Sequence, residues 1–181
     1  MIVSAHNGYP HWLNSGADFI EVDVRRNQHG VIVLAHDVLQ PNRTYVELDE
    51  VLDAVWGRIG LQLDLKEAGF EYELIERALT KIPSHNIVVT TGIGESLSKI
   101  KERYPNVRTG LTRRHAEPTD ADFLALDQAF VNDADLDSGK PVWVWTVDDR
   151  RRMEKLIADG RIAGLITNRP DRALALRKAR S

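Results

Sequence analysis

The chain has 181 residues, 43% of them hydrophobic, a size that buries one sizeable core and leaves little room for a second domain. Its 24 Lys and Arg against 27 Asp and Glu give a net charge of −3, without the strongly positive surface that nucleic acid or anionic membranes attract, so no nucleic-acid partner is expected. With no Cys, disulfides, thiolate nucleophiles and Cys-ligated metal centres are excluded, and any metal has to sit on Asp, Glu or His.

The opening residues, MIVSAHNG, carry no charged segment followed by a long apolar stretch. No later run approaches the roughly 18 apolar residues of a membrane span, so a cytoplasmic protein without a stable membrane anchor is expected. Short strand-like runs then recur along the chain: IVSA at 2–5, FIEVDV at 19–24, LQLDL at 61–65, NIVVTT at 86–91, VRTGL at 107–111, a weaker one within FLALDQAFV at 123–131, PVWVWTV at 141–147 and AGLIT at 163–167. VIVLAH at 31–36 reads as the return arm of a hairpin with the second run, because Asn27 to Gly30 is turn-like. Apolar residues at three- and four-residue spacing predict helices at Leu48 to Trp56, Phe70 to Ile82, Gly94 to Tyr104, Asp149 to Asp159 and Arg172 to the C-terminus. Pro83 and Pro105 stop the second and third of these, and Gly160 is a C-cap candidate for the fourth.

A βα series of this kind predicts a parallel sheet, and eight strands predict an α/β fold of the (β/α)8 barrel type, with a doubly wound open sheet as the competitor. About 200 residues is the usual lower limit for such a barrel, so something must be abbreviated. Only residues 6–18 separate the first two strands, and only about ten separate the sixth from Pro141, against the roughly 10 to 12 of a full crossover. The first and sixth helices are therefore expected to be a turn or missing. Apolar strand faces left uncovered there would favour a homo-oligomer.

Side chains alternate faces along a strand, so Leu61, Leu63 and Leu65 lie opposite Gln62, Asp64 and Lys66, and Ile20, Val22 and Val24 opposite Glu21 and Asp23. The aliphatic faces suit the helix layer, which turns the carboxylates into the barrel. His6, Glu21 with Asp23, Asp64 with Lys66, Thr91, Thr146 and Asn168 all fall at or near the C-terminal end of their runs, where the mouth of a parallel barrel lies. Three converging carboxylates repel one another, and a divalent cation is the economical way to keep them ionised together. All-oxygen ligation suits Mg²⁺, Ca²⁺ or Mn²⁺ rather than zinc. His11, His29, His85 and His115 read as structural or solvated, and Trp143 as packing.

AHNG after the first strand, GADFIEVDV followed by HGVIVLAHD, LQLDLK in the third, and VWVWTVDD leading into GLITNRP together resemble the glycerophosphodiester phosphodiesterase family. The resemblance implies a metal-dependent barrel enzyme that cleaves a small-molecule glycerophosphodiester to glycerol 3-phosphate and an alcohol. Carried over by position, Glu21, Asp23 and Asp64 would be the metal ligands and His6 and His36 the acid–base pair. Lys66 would contact phosphate and Trp145 would wall the substrate pocket. The implied route has the neighbouring glycerol hydroxyl attack phosphorus to give a cyclic phosphate, which water then opens. The chain departs from the family at two residues and in the first connection, where the family's Pro-Glu-Asn-Thr segment and full helix are missing. Asp64 stands where Glu is more common, and Asn7 stands at the substrate-side position where Arg usually follows the first His. Arg113, Arg114 and Arg169, each just past a strand's end, are the candidates to supply that cation, with Arg113 placed among the substrate contacts. A phosphodiesterase acting on lysophospholipids or another diester, and a non-catalytic phosphate-binding barrel, are the competing readings.

Overall fold

The computed structural model describes residues 1–180. In chain order the strands are β1 (Ile2–Ala5), β2 (Phe19–Arg26), β3 (Ile32–Leu34), β4 (Gly60–Leu65), β5 (Ile87–Thr91), β6 (Arg108–Arg113), β7 (Phe123–Asp127), β8 (Val142–Trp145) and β9 (Ile162–Thr167). All but β3 pair in parallel with their chain neighbours, and β1 joins both β9 and β2, so eight strands close into a barrel. This is the (β/α)8 architecture, not the open doubly wound sheet. The return arm β3 is shorter than the VIVLAH run. It pairs antiparallel with the upper half of β2, from Val24↔Leu34 to Arg26↔Ile32. The turn between them is tied by the Asn27 side chain, which accepts from the backbone N–H groups of His29 and Val31.

The helices are α1 (Leu48–Val55), α2 (Glu71–Leu79), α3 (Gly94–Arg103), α4 (Asp133–Leu136), α5 (Arg150–Ala158) and α6 (Pro170–Lys178). Their apolar stripes explain their seats. α1 buries Leu48, Val51, Leu52 and Val55, one side of an amphipathic helix, against the outward residues Ile20, Val22, Val24, Leu61, Leu63 and Leu65. α5 starts where the Asp149 carboxylate accepts from Arg152 N at 2.8 Å. Gly160 is not its cap: the helix ends on Asp159 in extended conformation, whose carboxylate takes the backbone N–H and guanidinium of Arg161.

The first connection holds turns only, and the sixth holds the single turn α4, as its length requires. The fifth connection, residues 114–122, lacks a helix as well, an abbreviation beyond the two expected, and at nine residues it too is shorter than a full crossover. The uncovered strand faces expected at these sectors are absent. Val3, Ala5, Leu124 and Leu126 are all fully buried. Trp12, Ala116, Val131, Leu136, Leu174 and Leu176 fold over them from the loops, from α4 and from α6, which removes the argument for oligomerisation made from bare faces.

Inside the barrel, the floor is built from three aromatic residues that each lie across a glycine of the adjacent strand: Phe19 opposite Gly60, Phe123 opposite Gly110 and Trp143 opposite Gly164. The Phe123 and Trp143 rings stack with centroids 4.3 Å apart. The glycines leave the space that the rings fill, since a Cβ at Gly60 would come within 2.5 Å of the Phe19 ring and one at Gly164 within 2.7 Å of the Trp143 ring. Gly164→Ala is therefore expected to lower stability in urea unfolding by about 1–3 kcal/mol, the usual cost of overpacking. Gly94→Ala, where a Cβ meets nothing within 4 Å, serves as the neutral control. Equal midpoints for the two variants would refute this account of the floor.

Candidate active site

A cavity of about 290 Å³ opens at the C-terminal ends of the barrel strands, and its lining includes Glu21, Asp23, Asp64, Lys66, His6, His36 and Trp145. Strand parity puts these groups there. Glu21 and Asp23 lie two apart on β2, and Asp23 is the register partner of Asp64 on β4, so all three carboxylates face the barrel interior.

Among the described residues, Glu21, Asp23 and Asp64 offer ligand oxygens that all lie within 4.8 Å of one another. Glu21 and Asp23 are each 3% exposed, which makes their charges costly. One cation answers them directly: Lys66 Nζ lies 2.7 Å from Asp23 Oδ1 and 2.5 Å from Asp64 Oδ2. Burial disfavours the charged ammonium, but the two carboxylates outweigh it and raise the Lys66 pKa. A single ammonium leaves the cluster short of positive charge. Burial, followed by the charges of Asp23 and Asp64, pushes the Glu21 carboxyl well above its usual value, even though Glu21 Oε2 accepts the Asn7 N–H at 2.8 Å. Asp23 Oδ2 is buried with no hydrogen-bond partner. Three convergent carboxylates and one orphaned buried oxygen are a donor set that fits a hard divalent cation.

His6 sits on a chain of fixed direction. Asp148 can only accept, so it takes the Asn168 side-chain N–H₂ at 2.7 Å and the Asn168 and Thr167 donors at 2.8 and 2.9 Å. That turns Asn168 Oδ1 toward His6 Nδ1 at 2.9 Å, so Nδ1 carries the proton and Nε2 is left with its lone pair. Burial opposes the Asp148 charge, but the donors from Asn168 and Thr167 outweigh it and hold its pKa below the usual carboxylate value. Asn7 follows His6 in the left-handed region (φ 44°), which brings its backbone N–H onto Glu21 and its side-chain amide 3.4 Å from His6 Nε2. His36 lies two residues past β3, which pairs with the upper half of β2 along the same edge that β1 takes lower down. Its ring is largely exposed and Nδ1 lies 2.8 Å from Asp37 Oδ1, while the Arg25 guanidinium donates twice to its carbonyl.

The Trp145 indole N–H donates to Ala125 O at 3.0 Å, which fixes the ring against the cavity wall. Arg113 does not line the cavity; its guanidinium is taken up by Glu117, Gly92 O and Thr112 O. Arg169 pairs with Asp171, and Arg114 lies 4.9 Å over the Phe130 ring. Thr90, not Thr91, reaches the cavity, because Thr91 faces outward and donates to Leu65 O. The pairing of Thr90 with Asp64 in register is the signal that identifies it. Asp148 went unnoticed in sequence because it follows the end of β8, beyond the reach of strand parity. His11, His29, His85 and His115 stay off the cavity lining, and Trp143 is buried in the floor. No helix among the described residues is long and apolar enough to cross a membrane.

Because its folded pKa is lowered, Asp148 contributes stability that is complete above its unfolded value of 3.8 and is lost as pH falls through the folded value. Asp148→Asn should cost about 1 kcal/mol at pH 7 once solvent screening is allowed for, with the gap to the parent closing below pH 3.8. Thermal unfolding across pH measures this, and a gap independent of pH would show that the charge is not what matters.

No family model and no curated protein matches the chain. Solved structures do match it. A phosphodiesterase from Oleispira antarctica, in complex with the product sn-glycerol-3-phosphate, superposes with a TM-score of 0.83 at 17% identity, covering 98% of this chain and 97% of that one. A glycerophosphodiester phosphodiesterase from Agrobacterium tumefaciens str. C58 gives 0.77 at 17% identity over 98% and 99% of the two chains. One from Thermotoga maritima gives 0.75 at 18% identity over 98% of each. The chain therefore shares, over nearly its whole length, the barrel fold of glycerophosphodiester phosphodiesterases of known structure.

Proposed function

We propose that the chain is a compact member of the glycerophosphodiester phosphodiesterase family, a cytoplasmic enzyme that hydrolyses a glycerophosphodiester to glycerol 3-phosphate and an alcohol with a divalent cation, Mg²⁺, Ca²⁺ or Mn²⁺. The observation that carries this reading is the orphaned Asp23 oxygen within a carboxylate triad, set beside a histidine whose ring is oriented by Asn168. Likeness of fold to phosphodiesterases, one of them holding glycerol phosphate, supports it.

A phosphodiester is an anion that resists attack, so its charge must be offset, a nucleophile activated and a leaving oxygen protonated. Glu21, Asp23 and Asp64 would hold the cation, which supplies charge neutralisation at the non-bridging phosphate oxygens when bound. Lys66, held by Asp23 and Asp64, adds a second positive charge at the same end of the cavity. His6 accepts through Nε2 the proton of the attacking glycerol hydroxyl, while Nδ1–H stays on Asn168. His36 donates a proton to the departing alcohol oxygen. The two roles exchange when water opens the resulting cyclic phosphate. Trp145 packs against glycerol carbons or the alcohol. Asn7 is not among the residues lining the cavity, so its amide, now beside His6 Nε2, would have to turn inward to contact the phosphate. Arg113 would have to release Glu117 to take part.

Glycerophosphocholine, glycerophosphoethanolamine and glycerophosphoglycerol should be assayed with Mg²⁺, Ca²⁺ or Mn²⁺ and after EDTA. Turnover of at least one diester is expected, abolished by EDTA and restored by added cation. Asp23→Asn should weaken the cation requirement's midpoint, and His6→Ala should lower kcat by roughly 10²-fold or more, the usual scale for acid–base catalysis. Folded protein with no metal-dependent turnover of any of the three would refute the proposal.

A further inference from the structure

The interior of a small parallel barrel is ordinarily filled by branched aliphatic side chains. Here interior positions beside the carboxylates are polar, with Gln62 the register partner of Glu21 and Thr90 that of Asp64. Ser4 on β1, Gln62 on β4 and Thr90 on β5 are 0%, 1% and 1% exposed, and they are joined in one line. Ser4 Oγ bonds to Gln62 Oε1 at 2.7 Å, Gln62 Nε2 to Thr90 Oγ1 at 3.1 Å, and Thr90 Oγ1 to Asp64 Oδ1 at 2.7 Å. The direction of every proton follows from the last member. An ionised carboxylate only accepts, so the Thr90 hydroxyl must donate to Asp64 and accept from the Gln62 amide. The Gln62 carbonyl is then left to take the Ser4 hydroxyl. Three strands thus deliver one fixed donor to one oxygen of Asp64.

The terminal torsion of an Asp side chain is broad, and its two oxygens exchange readily when nothing holds them. With Oδ1 kept by Thr90, Oδ2 is the oxygen turned to the cavity, where Lys66 now meets it at 2.5 Å. We propose that Thr90, oriented by Gln62 and Ser4, is a positioning residue that fixes which Asp64 oxygen is presented to a cation in the triad. This rests on the reading of the triad as a divalent-cation site. Partners of ligating carboxylates typically change metal affinity by roughly 10–100-fold when removed.

The test is a titration of the full chain with Mn²⁺ alone, reading free Mn²⁺ by electron paramagnetic resonance, with metal-free thermal unfolding measured alongside. Thr90→Val keeps the shape and removes the donor, and should weaken Mn²⁺ binding by about tenfold or more. Thr90→Ser restores the hydroxyl and should stay within about twofold of the parent. Thr91→Val is the control for a purely structural role: its hydroxyl is also fully buried but donates to Leu65 O, so Mn²⁺ affinity should not move. Should Thr90→Val fail to fold, Gln62→Met, which frees the Thr90 hydroxyl from its donor, carries the same comparison with an expected loss of severalfold. Parent-like Mn²⁺ affinity in the folded Thr90→Val variant, or in Gln62→Met where it stands in, overturns the proposal. So does a Thr90→Ser variant as weak as Thr90→Val, or an equal loss in Thr91→Val. A parent chain that binds no Mn²⁺ overturns the cation reading itself, and the positioning role falls with it.

Discussion

Mutual repulsion among three carboxylates in one largely buried cluster is the constraint around which the mouth of this barrel is arranged. Glu21, Asp23 and Asp64 converge, and the neighbouring groups read as answers to their charge. Lys66 bridges two of them, the Asn7 backbone donates to the third, and Thr90 holds Asp64 from the adjacent strand. Each answer is partial, and the protein as folded keeps a deficit of positive charge that a divalent ion would fill. Such an arrangement is unfavourable for folding on its own terms, since hydrophobic residues in these places would be cheaper.

The barrel walls divide into two outer cores. One lies under α1, α2 and their strands, where conventional amphipathic helices cover β2, β4 and β5. The other spans β1 and β6 to β9, where loops, α5, α6 and the single turn α4 do the covering. The short chain therefore loses helices in three sectors without exposing its strands, because bulky side chains such as Trp12 and Leu136 substitute for helix faces. The carboxylate triad belongs to the conventionally covered half. His6 and its supporting Asn168 and Asp148 belong to the abbreviated half, so the candidate site lies across the seam between them.

Much of this is legible in the sequence. Alternation along FIEVDV and LQLDLK was enough to place the acids inside and the aliphatics outside, because period two is strict in a strand. Counting residues between strands located the turn-only first connection and the single-turn sixth. The features that escaped are tertiary. The fate of the outward faces of β1 and β7 depended on loop side chains that carry no periodic signal. Thr90 was missed in favour of Thr91 because both faces of IVVTT are apolar up to their last residue, so alternation does not tell which face is inward. Asp148 and the engagement of Arg113 by Glu117 depend on loop geometry, for which the sequence offers no register.

The aromatic floor has a consequence beyond filling space. Phe19 with Gly60, Phe123 with Gly110 and Trp143 with Gly164 are cross-strand partners at three separate seams of the barrel. Sliding any of these seams by one residue would drive a ring into a neighbouring side chain and send the interior residues of that strand to the outer face. The rings thus act as keys, each cut for a single lock, at the end of the barrel remote from the mouth. Correct strand alignment is verified at the floor, and that alignment is what brings Asp23 level with Asp64 at the top.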